Sequence, residues 1–124
     1  MNTRIIAASD ITGTKVKNLE KENIGEIQDL MTDVQTGDII YAVLSFGGFM
    51  GMGDKYFAIP IEAMRFSEFA SGNKEIMLDI DKEKLEHAPG FDKDNWPTEA
   101  RSEFVTSMYK HYGYDVPERY HTRV

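Results

Sequence analysis

The chain has 124 residues, 21 acidic against 14 basic side chains, no cysteine and 41% hydrophobic content, the profile of one soluble domain of ordinary size. Without cysteine, thiolate catalysis, zinc-finger ligation and cysteine-held iron–sulfur chemistry are excluded. The net charge of −7 disfavours direct nucleic-acid binding, which needs a basic face to neutralise phosphates.

At the N-terminus the apolar run Ile5-Ile6-Ala7-Ala8 is too short for a signal-peptide core, so a cytoplasmic location is expected. Thr14–Asn18 reads as a first short strand. A longer one, Ile24–Val34, is followed by the link Gln35-Thr36-Gly37-Asp38 and then by Ile39–Phe46. That second run is rich in β-branched and aromatic residues, and a four-residue link with glycine is an ordinary hairpin connection. Ile39–Phe46 is apolar at successive positions, so it should be covered on both faces or lie in a small closed barrel. Its charge-free neighbourhood, residues 39–53 between Asp38 and Asp54, is shorter than the roughly 20 residues of a membrane-spanning helix and is broken by glycines.

Lys55–Ile59, Met64–Phe69 and Glu75–Ile80 are further strands. In the last, Ile76, Leu78 and Ile80 alternate with Met77 and Asp79, which turns one face inward. Asp81 is placed to cap a short helix Lys82–His87 through its carboxylate, which Pro89 ends. His87 in the last turn then suits the helix C-terminus. A longer helix should start near Pro97 and stop before Gly113. Its apolar positions Ala100, Phe104, Val105, Met108, Tyr109 and Tyr112 form one helical stripe, suited to packing on the β domain or on a second subunit. Residues 1–97 carry seventeen acidic and ten basic side chains, whereas residues 98–124 carry four of each. The acidity therefore belongs to the β-rich part.

Reactive constellations are sparse. Asp29 and Asp33 would share a strand face but stand about 13 Å apart, too far for a glycosidase carboxylate pair. Asp33 and Asp38 flank the turn and suit it, because aspartate side chains bond nearby amides. His87, His111 and His121 show no metal-ligand spacing, and no serine sits in a Gly-x-Ser-x-Gly elbow. The segment Gly47-Gly48-Phe49-Met50-Gly51-Met52-Gly53-Asp54-Lys55 approaches a phosphate loop but puts Asp54 where lysine is needed. Its glycines open unusual backbone shapes. Phe49, Met50 and Met52 then either fold back as a plug at the barrel end, the preferred reading for so apolar a loop, or form an adaptable contact patch.

Asp10-Ile11-Thr12-Gly13-Thr14-Lys15-Val16, Ile24-Gly25-Glu26-Ile27-Gln28-Asp29-Leu30, Thr36–Leu44, Gly47–Lys55 and Ala58-Ile59-Pro60 resemble the successive motifs of the PRC-barrel family, over approximately Ser9 to Ile80. The family includes the reaction-centre H subunit. Leu85-Glu86-His87-Ala88-Pro89-Gly90-Phe91 and Trp96-Pro97 are similar to the extension of its stand-alone bacterial members. The resemblance implies a mainly β fold: a small, strongly bent PRC-type barrel over residues 1–80, with a helical extension and tail over 81–124. It also implies a binding or assembly module without catalytic residues. The expected function is therefore non-enzymatic protein–protein interaction, with another protein or as a homodimer, without cofactor or membrane span. Phe49, Met50, Met52, Tyr109 and Tyr112 are the candidate contacts. The alternative is a small ligand or metal ion at the barrel mouth, held by acidic groups such as Asp29, Asp33 and Asp54.

Overall fold

The computed structural model describes residues 5–46, 55–66, 75–88 and 102–115. In chain order the elements are α1 (Ala8–Ile11), β1 (Lys15–Asn18), β2 (Asn23–Thr32), β3 (Ile39–Phe46), β4 (Lys55–Pro60), a 3-10 turn (Ile61–Ala63), β5 (Met64–Arg65), β6 (Ile76–Leu78), α2 (Lys82–Glu86) and α3 (Ser102–His111). The strands form one six-stranded sheet in the order β4-β3-β2-β1-β6-β5. Its pairs are antiparallel except β1 with β6, which run parallel.

Topology forces this sheet to curl. β4 and β5 lie at opposite ends of the strand order, yet only the 3-10 turn Ile61–Ala63 joins them. Laid flat, five inter-strand steps would separate them by about 24 Å. A short 3-10 segment rises only about 2 Å per residue, so the two edges must bend toward each other. Among the described residues they do not join in a hydrogen-bonded ladder, so the expected mainly β, strongly bent fold with a C-terminal helix is present as an open six-stranded sheet. The two-residue length of β5 leaves little backbone with which to close it.

The hairpin β2–β3 lies inside the sheet, flanked by β1 and β4. The expected second strand, Ile24–Val34, ends earlier, at Thr32. Asp33 leaves the ladder because its carboxylate accepts the Gln35 amide at 2.8 Å, while the Asp33 carbonyl accepts the Gly37 amide at 2.7 Å. Gly37 sits at φ +80, where a Cβ is unfavourable. Asp33 thus has the turn-forming role its position implies, and Val34 is left 95% exposed at the turn. A register shift between Ile27 and Asp29 inserts an extra residue, so Gln28 and Asp29 are both exposed, as a β-bulge does by re-aiming side chains.

β3 is buried from Ile40 to Phe46, as a strand covered on both faces must be. Ala42 and Leu44 pair with Ile59 and Phe57 of β4, so these four share one face of the sheet. Tyr41, Val43 and Ala58 face the other way by the two-residue period, toward α3. Ile76, Leu78 and Ile80 are buried while Met77 and Asp79 are half-buried, in agreement with the alternation in the sequence. The expected strand Met64–Phe69 is reduced to Met64–Arg65, with Phe66 outside it and residues 67–69 outside the described residues.

Asp81 occupies the N-cap of α2, but its side chain makes no capping hydrogen bond, which corrects the expected carboxylate cap. The Asp81 carbonyl instead accepts the Leu85 amide, and Leu85 is fully buried. The expected start of α3 near Pro97 lies outside the described residues. Its end is as expected: Gly113 at φ +80 donates to the Lys110 carbonyl and Tyr114 to the Tyr109 carbonyl, a Schellman ending in which glycine takes the left-handed position.

Gly25 is where the sheet tolerates no side chain. At φ +130, a Cβ built there would meet the Ser45 carbonyl oxygen at 2.1 Å, across the central hairpin. Both groups are backbone, so neither can move aside cheaply. We expect Gly25→Ala to destabilise the chain by at least about 3 kcal/mol, measured as a fall in the urea midpoint, whereas Gly13→Ala, whose added Cβ meets nothing within 4 Å, costs clearly less.

Candidate functional site

α3 lays its apolar stripe on the β3–β4 face. Val105, Met108, Tyr109 and Tyr112 are buried and Phe104 is half-buried, so the stripe read from the sequence is the packing face. Ala100 lies outside the described residues. Phe104 meets the Tyr41 ring edge-on, with centroids 5.6 Å apart, an arrangement that aligns a ring edge with the negative face of its partner. Tyr109 has no exposed surface. Its hydroxyl hydrogen-bonds the Glu62 carboxylate in the turn between β4 and β5 and lies 3.4 Å from the Ile40 carbonyl oxygen. One side chain therefore ties α3 to both the central strand and the turn that forces the curl.

Further ties flank this one. The His111 ring nitrogen Nε2 lies 3.0 Å from the Lys84 carbonyl oxygen in α2, and the Tyr114 hydroxyl donates to the Asp79 carbonyl at 3.2 Å. His87 stands at the end of α2 with its ring Nδ1 3.4 Å from the Glu83 carbonyl, consistent with its expected position at that helix terminus. Between α3 and β4 a cleft remains, lined by Ala58, Phe104, Ser107, Met108, His111 and Tyr112. Nearby, the Tyr112 hydroxyl is buried and has no hydrogen-bond partner among the described residues.

Burial pushes the phenol of Tyr112 well above its ordinary value and raises that of Tyr41. Tyr114 is raised by burial and by the neighbouring Asp79 carboxylate. Asp79 also pairs with Arg65 at 2.8 Å, an exposed contact of the kind that adds little stability.

The sequence-derived contact candidates divide. Tyr109 and Tyr112 are buried in the chain's own core, where their rings hold α3 on the sheet. Phe49, Met50 and Met52 lie outside the described residues, as does Asp54. Asp29 is exposed and accepts the adjacent Leu30 amide at 2.8 Å. It does not converge with Asp33, which serves the hairpin turn. Among the described residues no group of three or more histidine, aspartate or glutamate side chains is arranged to hold a metal ion. Among the described residues, the large apolar side chains left outside are Ile5, 91% exposed, Val34, 95% exposed, and the less exposed Ile6 and Leu19.

Two features escaped the sequence reading. Asn18 is buried and staples the β1–β2 connection: its side-chain amide donates to the Glu22 carboxylate at 2.7 Å and its oxygen accepts the Glu22 amide at 2.8 Å. Lys21 in that connection takes φ 66. An Asn-x-x-Lys-Glu string carries no turn signal beyond the asparagine itself. The second is Val34, whose apolar character suits a strand; its exposure follows from the early exit at Asp33.

The model of the PRC-barrel domain matches residues 4–85, well over half of the chain. Among solved structures, the chain is similar to a protein described as the 16S ribosomal RNA processing protein RimM from Pseudomonas aeruginosa, at 18% identity and a TM-score of 0.42. That alignment covers 63% of this chain and 45% of the other, so the chain spans less than half of that protein's length. No curated protein matches the chain.

The docking geometry separates the tyrosines in a testable way. We expect Tyr109→Phe to lower stability by about 1–2 kcal/mol, the scale of a lost hydrogen bond to a charged acceptor, and Tyr112→Phe to leave it unchanged or raise it, because no partner among the described residues is lost. Both are read from urea unfolding followed by circular dichroism. The raised phenols of Tyr41 and Tyr112 bind their protons more tightly in the folded chain than at the ordinary value of 10.0. Their contribution is then complete below about pH 10 and is lost as pH rises through the folded values. The urea midpoint should fall above that pH, and less steeply in Tyr112→Phe.

Proposed function

We propose that this chain, which belongs to the PRC-barrel family, is a non-enzymatic module for protein–protein interaction or assembly, working in the cytoplasm. The observation that supports the reading is the family membership across residues 4–85, together with the internal use of the chemistry-bearing side chains. The buried tyrosines hold α3, Asn18 and Asp33 hold turns, and His87 and His111 meet helix carbonyls. Each is engaged with backbone or with another structural group. No helix among the described residues is long and apolar enough to cross a membrane.

The contact surface is proposed from what remains outward. Val34 stands 95% exposed at the β2–β3 turn, an apolar side chain with no packing role. Phe49, Met50 and Met52 join it on their sequence character alone, as an apolar, methionine-rich segment suited to adaptable contacts. The partner is a protein or a second copy of the chain; the negative charge of −7 disfavours phosphate-rich partners.

Multi-angle light scattering of the full chain across concentration, with affinity capture from native lysate, tests this. We expect either a concentration-dependent increase in mass or stoichiometric retention of one protein, lost in a Val34→Asp, Met50→Ser, Met52→Ser triple variant that keeps the wild-type unfolding midpoint. A strict monomer that retains no protein would overturn the proposal.

A further inference from the structure

The interface under α3 is of poorer quality than the sheet it sits on. On the sheet face away from α3, Leu44 and Ile59 are fully buried. Beneath α3 a cleft opens between Ala58 and the helix side chains Phe104, Met108 and Tyr112, and the buried Tyr112 hydroxyl lacks a partner among the described residues. An imperfectly filled space forfeits dispersion contacts, and a buried unpaired hydroxyl has given up its hydration for nothing. Two polar ties of α3 run from the Tyr109 hydroxyl to Glu62 and from the His111 ring to Lys84, beside the approach of the same hydroxyl to the buried Ile40 carbonyl. Glu62 and Lys84 are both exposed residues, so water competes at the far end of the first two.

A single helix of a few turns is also marginal in water once it leaves its packing surface, because nucleation is costly and few hydrogen bonds repay it. If α3 leaves the sheet it melts, and its amide protection goes with it. The sheet has a different foundation: β2 is paired on both sides, by β1 and β3, and neither ladder uses a residue of α3.

We infer that α3 is a detachable strap, which leaves the sheet in a local opening while β1 to β4 stay folded, with the Tyr109–Glu62 hydrogen bond as its latch. Opening uncovers Tyr41 and Ala58, which are 1% and 7% exposed with the strap in place. The device is a property of this chain's own packing. It goes beyond the proposed function and does not rest on it, since opening is read without any partner.

Hydrogen exchange by mass spectrometry on the full-length chain, in increasing urea below the unfolding transition, tests the strap. Amides of residues 102–111 should exchange at least about tenfold faster than those of residues 39–46 and with weaker urea dependence, the mark of a local opening. Tyr109→Phe should speed exchange in 102–111 by roughly another tenfold, the scale of one lost hydrogen bond, while that segment keeps its weaker urea dependence relative to residues 39–46. Tyr112→Phe should slow exchange in 102–111 or leave it as it is. Should Tyr109→Phe fail to fold, the wild-type comparison of the two segments decides alone. Equal rates and equal urea dependence in 102–111 and 39–46 would overturn the inference, because α3 would then open only with the whole chain.

Discussion

The short turn Ile61–Ala63 between β4 and β5 is the constraint on which the rest of the structure depends. It links two strands at opposite ends of a six-stranded order, so the sheet cannot lie flat. Once it curls, one sheet face folds toward itself and a single core becomes possible in a chain of this size. β3 and β4 are apolar on both faces, Ala42, Leu44, Phe57 and Ile59 on one and Tyr41, Val43 and Ala58 on the other, and the second face needs cover. α3 supplies that cover, and Tyr109 ties it back to Glu62 in the very turn that set the curl. Bend, core and helix docking are thus consequences of one short connection.

The hairpin β2–β3 makes the bend possible at close range. Gly25 lies against the Ser45 carbonyl without room for a Cβ, so the two central strands approach more closely there than side chains would permit. The shift between Ile27 and Asp29 then adds local twist and turns Gln28 and Asp29 outward. An acidic, solvated end of β2 and an apolar inner end coexist in one strand because the bulge breaks the simple two-residue period.

For function, the decisive feature is which side chains remain available. A helix with a tyrosine-rich stripe is, from its pattern alone, equally suited to binding a partner and to covering its own sheet. Here the sheet takes it. The aromatic surface is consumed internally, while Val34 at the β2–β3 turn is left outward. The acidic residues considered for ligand binding are likewise divided by the fold, since Asp29 bonds its neighbour's amide and Asp33 bonds the turn.

The sequence by itself determined the elements whose signals are local. The run of β-branched and aromatic residues at Ile39–Phe46, the alternation through Ile76, Leu78 and Ile80, the stripe from Phe104 to Tyr112 and its stop at Gly113 all depend on periods and turn chemistry within a few residues. The family motifs were legible for the same reason, as short strings in a fixed order. The tertiary structure alone decided that the sheet bends without closing, that the Asp81 carboxylate does not cap α2, that β2 ends at Thr32 to expose Val34, and that Tyr109 and Tyr112 face inward. Each of these depends on residues far apart in the chain, or on which of two local hydrogen-bonding options the surrounding fold favours. A side-chain pattern states that a face is apolar; only the packed chain states what covers it.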